Sequence, residues 1–191
     1  VGVQYTDVLN PLHPESTMTD RRIAKTRLAL RDAMLALMPE RGWDELNVQD
    51  ICDRANVGRS TFYLHYQGKE DLLAESLNDL RLALGASAPA DSGAHQPMGF
   101  MSGLLAHMVE NRRIFKSVVG RRSGHVVERR FRDMVVQLAE DDMAKRGTVG
   151  VRQVMLARSL SGALVDLMAW WVDSADGPSV DPQANHAPLF G

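Results

Sequence analysis

At 191 residues, with 45% apolar and 24% charged residues and a formal net charge of −2, the chain has the composition of a soluble globular protein with a sizeable core. That balance excludes a global basic field, so any nucleic-acid surface has to be a local patch. The single cysteine, Cys52, excludes an intrachain disulfide and a cysteine-cluster metal site, and it suits a reducing cytoplasm.

Residues 1–17 carry two prolines and little periodicity, so they read as a disordered arm or a non-native leader, with Met18 as a candidate natural start. They lack the basic start and apolar stretch of a signal peptide. No run of about 18 apolar residues is present, which argues against a membrane span. The most apolar stretch, ALVDLMAWWV, is interrupted by Asp166.

The periodic segments have helical spacing, which predicts an all-α fold. Thr17 or Thr19 is the expected cap of a first helix reaching residue 41. Ile23, Leu30, Met34, Leu37 and Met38 form its apolar face, and Gly42 ends it. Asn47 is expected to cap a second helix, with Asp50 in its first turn and Val48, Ile51, Cys52 and Ala55 turned inward. A turn at Asn56-Val57-Gly58 leads into a very short helix over 59–66. Gln67-Gly68 precedes a fourth helix beginning near Lys69, where Glu70 and Asp71 suit the positive helix start.

Residues 85–97, GASAPADSGAHQP, read as a linker. Helices are then expected over 98–110, 112–119, 125–146 and 149–174. Asp176-Gly177-Pro178 should stop the last, leaving 177–191 as a disordered tail.

The short third helix raises the functional question. At about 100° per residue, Phe62 and Tyr66 fall within roughly 40° of each other and can anchor a core. Ser60, Thr61 and Leu64 point to the opposite side, flanked by Tyr63 and His65. Hydroxyls and a phenol can reach phosphates or base edges, and an aliphatic group can meet a thymine methyl. Two short helices around a tight turn have helix-turn-helix proportions, which fit a major groove. A helical hairpin with an idle surface has the same local pattern. Arg21, Arg22, Lys25, Arg27 and Arg31 crowd the first helix without an intervening acid, and Lys69 adds a cation just past the short helix.

Thr26, Leu30, Gly42 and the stretch NVQDICDRANVGRSTFYLHYQGKEDLL resemble the N-terminal DNA-binding domain of the TetR family of transcriptional regulators, over about residues 20 to 73. The resemblance implies a homodimer in which three N-terminal helices (domain 18–67) meet double-stranded operator DNA. A helical C-terminal domain (68–176) would serve ligand binding and dimerisation. It implies DNA contacts at Gln49, Arg59, Ser60, Thr61, Tyr63, Leu64, His65 and Lys69; Lys25 is added from the basic face of the first helix. Asn47-Val48 stands where a threonine-rich start is commoner, and Tyr66 where phenylalanine is usual.

The C-terminal part carries no catalytic signature, metal set or phosphate loop, so neither an enzyme nor a cofactor is expected. Its methionine-rich apolar positions serve either as plain core or as an adaptable pocket for a small apolar or amphipathic ligand: Phe100, Met101, Leu104, Leu105, Met108, Phe115, Met134, Met168 and Trp171. For a dimer contact, Ser159, Gly162 and Ala163 permit close helix approach beside Trp170, while Phe131 and Leu138 belong to a stripe on the preceding helix; the same residues can instead complete the monomer core. The expected function is a cytoplasmic, ligand-responsive repressor on a near-palindromic operator. The alternative is a regulator whose C-terminal half serves only dimerisation or a protein partner.

Overall fold

The computed structural model describes residues 14–86, 98–119, 125–147 and 149–173. Among the described residues there are α-helices and no strand: α1 (Pro14–Arg41), α2 (Val48–Ala55), α3 (Arg59–His65), α4 (Lys69–Ala86), α5 (Phe100–Glu110), α6 (Arg112–Val119), α7 (His125–Ala144) and α8 (Val151–Asp173). The all-α expectation holds.

Several boundaries differ from those expected. Helix α1 begins at Pro14, so Thr17 and Thr19 lie inside it rather than capping it. Proline's fixed φ and missing N–H suit a first helical position. Gly85 and Ala86 belong to α4 instead of the linker, whose remaining residues 87–97 fall outside the described part, as do Asp176-Gly177-Pro178 and residues 1–13 and 177–191. Helix α5 starts two residues late because Met98 has a left-handed backbone (φ 60°), and its N–H donates to Asp142 Oδ2 at 3.2 Å, pinning this entry to α7. At its other end α7 stops at Ala144, in a turn closed by Gly147 at φ 77°.

Leu30, Met34, Leu37 and Met38 of α1 are buried against Trp43, Leu46, Ile51, Cys52, Phe62 and Tyr66, which forms the N-terminal core. Ile23 is exposed, contrary to expectation. It lies in the half of α1 that runs past this core, beside an open groove shared with Tyr66 and Glu75. Gly42, at φ 82°, takes the left-handed cap that a side chain would resist, and its N–H closes on Met38 O at 2.9 Å.

Helix α2 has the expected cap. Asn47 Oδ1 accepts from Asp50 N–H at 3.0 Å, and Asp50 Oδ2 accepts from Asn47 N–H at 3.2 Å. Arg41 also donates to Asp50 at 2.7 Å, which ties the end of α1 to the start of α2. We expect Asn47→Ala to destabilise the protein by about 1 kcal/mol in urea unfolding, because the N3 amide loses its acceptor.

Helix α4 runs from this N-terminal unit into the second core, where it packs on α5 and α7. Phe115 and Phe131 meet edge to face there (5.4 Å, 80°), surrounded by Leu104, Met108, Val127, Val135 and Met168. A Cβ at Gly103 would lie 3.1 Å from Leu84 Cδ2, so the glycine lets α5 lie close on α4.

Candidate nucleic-acid interface

The α2–α3 turn is built by one residue in the left-handed region, and that residue is Asn56 (φ 53°, ψ 45°), not the glycine. Its N–H bonds back to Asp53 O, and Val57 N–H to Cys52 O at 3.0 Å. Asparagine tolerates this conformation better than most side chains. Gly58 has an ordinary extended backbone (φ −66°, ψ 145°) and serves as the N-cap of α3.

Helix α3 is phased as its sequence suggests. Phe62 and Tyr66 are buried, with rings 5.6 Å apart, and hold the helix against the core. Opposite them Leu64 is 81% exposed and Tyr63 50% exposed, with Arg59 and Ser60 also exposed; Thr61 and His65 are half-buried on the flanks. Arg59 lies over the Tyr63 ring at 5.9 Å, and the nearby phenol raises the guanidinium pKa further above its ordinary value. This pair forms a preset cationic and phenolic edge on the exposed face. Cys52 sits beneath, where burial pushes its thiol pKa up, so it is a packing group and no nucleophile.

The cations divide into two sets. Arg54 forms a two-pronged pair with Glu40 (2.7 and 3.2 Å), and the hydrogen bond holds that carboxyl below its usual pKa. Arg27 pairs with Glu75 at 3.4 Å and lies over the Tyr66 ring, while Arg31 meets Asp32 and Asp79. Arg27 and Arg31 therefore brace α1 against α4. Arg21, Arg22 and Lys25 are exposed and make no ion pair among the described residues, which leaves them available on the same end of the molecule. Gln49 is exposed at the start of α2 and donates to Asp53 at 2.6 Å.

Lys69 sits differently from the other candidate contacts. Its ammonium donates to Trp43 O and to Leu46 O, both at 2.7 Å, and lies 4.7 Å from the centre of the Trp43 ring. Two of its three donors are thus spent inside the protein on the α1–α2 turn. Burial and the neighbouring charge of Glu75 push the Tyr66 hydroxyl up to about 12, so the residue standing where phenylalanine is usual brings a phenol from the end of α3 toward the Glu75 carboxylate of α4.

In the C-terminal half the residues expected to form a pocket scatter. Phe100, Leu104, Met108, Met134 and Met168 are buried core; Met101 is half-buried and Leu105 exposed. Trp171 is half-buried beneath Arg112, 5.4 Å away. Helical periodicity shows that these residues are apolar on one face but not that neighbours fill the space between them. Phe115 alone of the nine lines the large apolar cleft of about 470 Å³ that lies between α1, α4, α7 and the α5–α6 corner. That cleft brings together Leu35, Leu77, Leu80, His107 and Asn111, none of which the sequence pattern singles out as pocket residues.

The dimer expectation needs a similar correction. Phe131 and Leu138 are buried within the protomer, Phe131 against Phe115, so neither can meet a partner. Ser159, Ala163 and Trp170 are exposed on α8, and Gly162 is half-buried under Arg132. Asp166 is exposed and pairs with Arg132 at 3.6 Å.

Residues 30–76 match the family model for bacterial regulatory proteins of the TetR family. That stretch, α1 to α4 through the helix-turn-helix, is a TetR-type N-terminal domain. The chain is 31% identical over 98 residues to the uncharacterized HTH-type transcriptional regulator YxbF of Bacillus subtilis, a match spanning 47% of this chain and 26% of that protein. It is 26% identical over 100 residues to the HTH-type transcriptional regulator AcrR of Shigella flexneri, spanning 49% and 44%. The matched stretch is therefore less than half the length of either relative. Among solved structures, a TetR transcriptional regulator from Streptococcus agalactiae is similar over 84% of this chain and 90% of its own, at 28% identity and a TM-score of 0.61. NalD, the secondary repressor of the MexAB-OprM multidrug efflux pump in Pseudomonas aeruginosa, shares the fold over 85% and 92%, at 22% identity and a TM-score of 0.58. Among the described residues no helix is long and apolar enough to cross a membrane.

Proposed function

We propose that this protein is a cytoplasmic, ligand-responsive repressor that binds a near-palindromic operator as a homodimer, with α3 as its recognition helix. The observation that carries the reading is the exposed edge of α3, where Arg59, Ser60, Tyr63 and Leu64 stand out opposite the buried Phe62 and Tyr66. Gln49 and Lys25, on neighbouring helices, are exposed and suited to the phosphate backbone. In a dimer the two recognition helices would lie about one DNA turn, roughly 34–36 Å, apart. The apolar cleft against α4 supports control by a small molecule, since a ligand there would bias the position of the helix that follows the DNA-binding unit.

Fluorescence anisotropy with DNA selected from a random library, repeated over several salt concentrations, tests the reading. A palindromic site bound by two protomers, far tighter than bulk DNA, is expected. Tyr63→Ala and Thr61→Ala should each weaken that binding roughly tenfold to a hundredfold. Tyr63→Ala should do so with an unchanged melt, because its ring is half exposed and touches Phe62 only edge-on (5.4 Å, 85°). Weak, sequence-blind binding would overturn the proposal.

A further inference from the structure

The cleft between the two halves of the protein has a chemistry that its location alone does not specify. One wall is α1, through Leu35 and Met38, so an occupant would touch the DNA-binding unit itself and not only the C-terminal helices. Leu77 and Leu80 of α4 face it, and Phe131 of α7 closes the back. The volume, about 470 Å³, falls in the range of sites that hold small organic molecules.

Polar groups in the cleft are few, and they are arranged. At its mouth Arg31 is flanked by Asp32 (3.4 Å) and Asp79 (4.0 Å), so these charges are already matched. Deeper in, His107 and Asn111 sit one helical turn apart. Asn111 Nδ2 donates to His107 O at 2.9 Å and lies 3.3 Å from His107 Nδ1. An amide NH₂ has only donors to offer, so this contact makes Nδ1 the acceptor and puts the imidazole proton on Nε2. Burial lowers the His107 pKa, against the opposing charge of Glu110, which keeps the ring neutral near pH 7. The ring is held edge-on to Phe115 (5.9 Å, 82°), in the cleft wall. The cleft thus offers an apolar body and a lining imidazole whose Nε2–H makes no hydrogen bond among the described residues, while the Ser76 hydroxyl, also in the lining, is spent on Leu72 O at 2.8 Å.

We propose that this cleft is the effector site, and that it takes an uncharged, largely apolar molecule carrying a hydrogen-bond acceptor such as a carbonyl, received by His107 Nε2–H. The proposal rests on the reading of the protein as ligand-responsive. Because α1 forms a wall, filling the cleft acts on the spacing of α1 and α4 together.

Prodan, an uncharged naphthyl ketone whose emission brightens and shifts to the blue in apolar surroundings, is a suitable probe for the full chain. Saturable binding with a blue shift is expected. Leu80→Trp, which places an indole in the cleft, should abolish it, and His107→Leu should weaken it about five- to tenfold while the apolar walls remain. Far-UV circular dichroism and melting curves establish that the variants fold. If Leu80→Trp does not fold, nitrogen NMR of the histidine side chains replaces it: Prodan should move the resonance that His107→Leu removes. Absence of binding, binding unaltered in both folded variants, or an unmoved His107 resonance would overturn the site. Anisotropy on the operator with saturating Prodan separates the two readings. Variant-sensitive Prodan binding with unchanged operator affinity supports the cleft as a site and overturns ligand responsiveness.

Discussion

Replacing Leu167 with glutamate should convert the protein to a folded monomer and lower operator affinity by about two to four orders of magnitude, since two linked half-site contacts become one. The argument starts from α8, where Leu156, Leu160, Ala163, Leu167 and Trp170 follow one another at steps of four and three residues, along one side of a helix. All are exposed in the protomer, Leu167 to 54% and Trp170 to 60%, although the opposite side of the same helix buries Ala157, Leu164, Val165, Met168 and Val172. A continuous apolar stripe of this length is unusual on a monomer and suits a self-complementary contact about a twofold axis. Small residues at Ser159 and Ala163 allow two such helices to lie close. In that arrangement Leu167→Glu sets a carboxylate from each copy into an apolar interface without a cation to meet it. Sedimentation velocity reads the oligomeric state, and far-UV circular dichroism should be unchanged because Leu167 lies outside the buried core of the protomer. A dimer that persists in Leu167→Glu would place the interface on another face.

What was legible in the sequence follows how local the physics is. The Asn47–Asp50 box spans one helical turn, so four residues contain all of it, and it forms as expected. The inward placing of Phe62 and Tyr66 needs only the helical period. Apolar stripes on α7 and α8 are equally visible in sequence, but periodicity does not say what covers a stripe. Phe131 and Leu138 satisfy the same pattern whether they meet a partner or α4 and α6, and only the packing decides that they meet the protomer's own helices. The apolar cleft has no sequence signal, because it is bounded by helices far apart in the chain and exists only where their side chains fall short of one another. His107 reads as isolated for the same reason: its partners in that cleft, Leu35 and Leu80, are 72 and 27 positions away. Met98 shows the converse case, a residue of good helix propensity held in a left-handed conformation while its N–H is bound to Asp142.

Lys69→Met is expected to cost about 2–3 kcal/mol of stability, a larger effect than loss of one phosphate contact would have on the fold. The ammonium holds Trp43 O and Leu46 O at 2.7 Å each, and these carbonyls belong to the turn that sets the angle between α1 and α2. Trp43 O has a second, longer bond from Leu46 N–H at 3.3 Å, while Leu46 O has no further backbone donor among the described residues. Methionine keeps the apolar stem against Trp43 but supplies no donor, so the loss isolates the charge-assisted bonds and the cation–π contact. In a chain of this size the melting temperature should fall by roughly 4–10 °C. Operator affinity should fall with it, because the turn positions Asn47 and Gln49 at the start of α2, yet the salt dependence should change little. A lysine bound to phosphate predicts the reverse: a near-native melt and a salt slope flatter by about one unit. Lys25→Met supplies the comparison, since Lys25 is exposed without an ion pair among the described residues and should show that second pattern. A Lys69→Met protein with wild-type melting and the flatter slope would mean that the ammonium leaves its carbonyls when DNA arrives, which makes the α1–α2 turn a part that rearranges on binding.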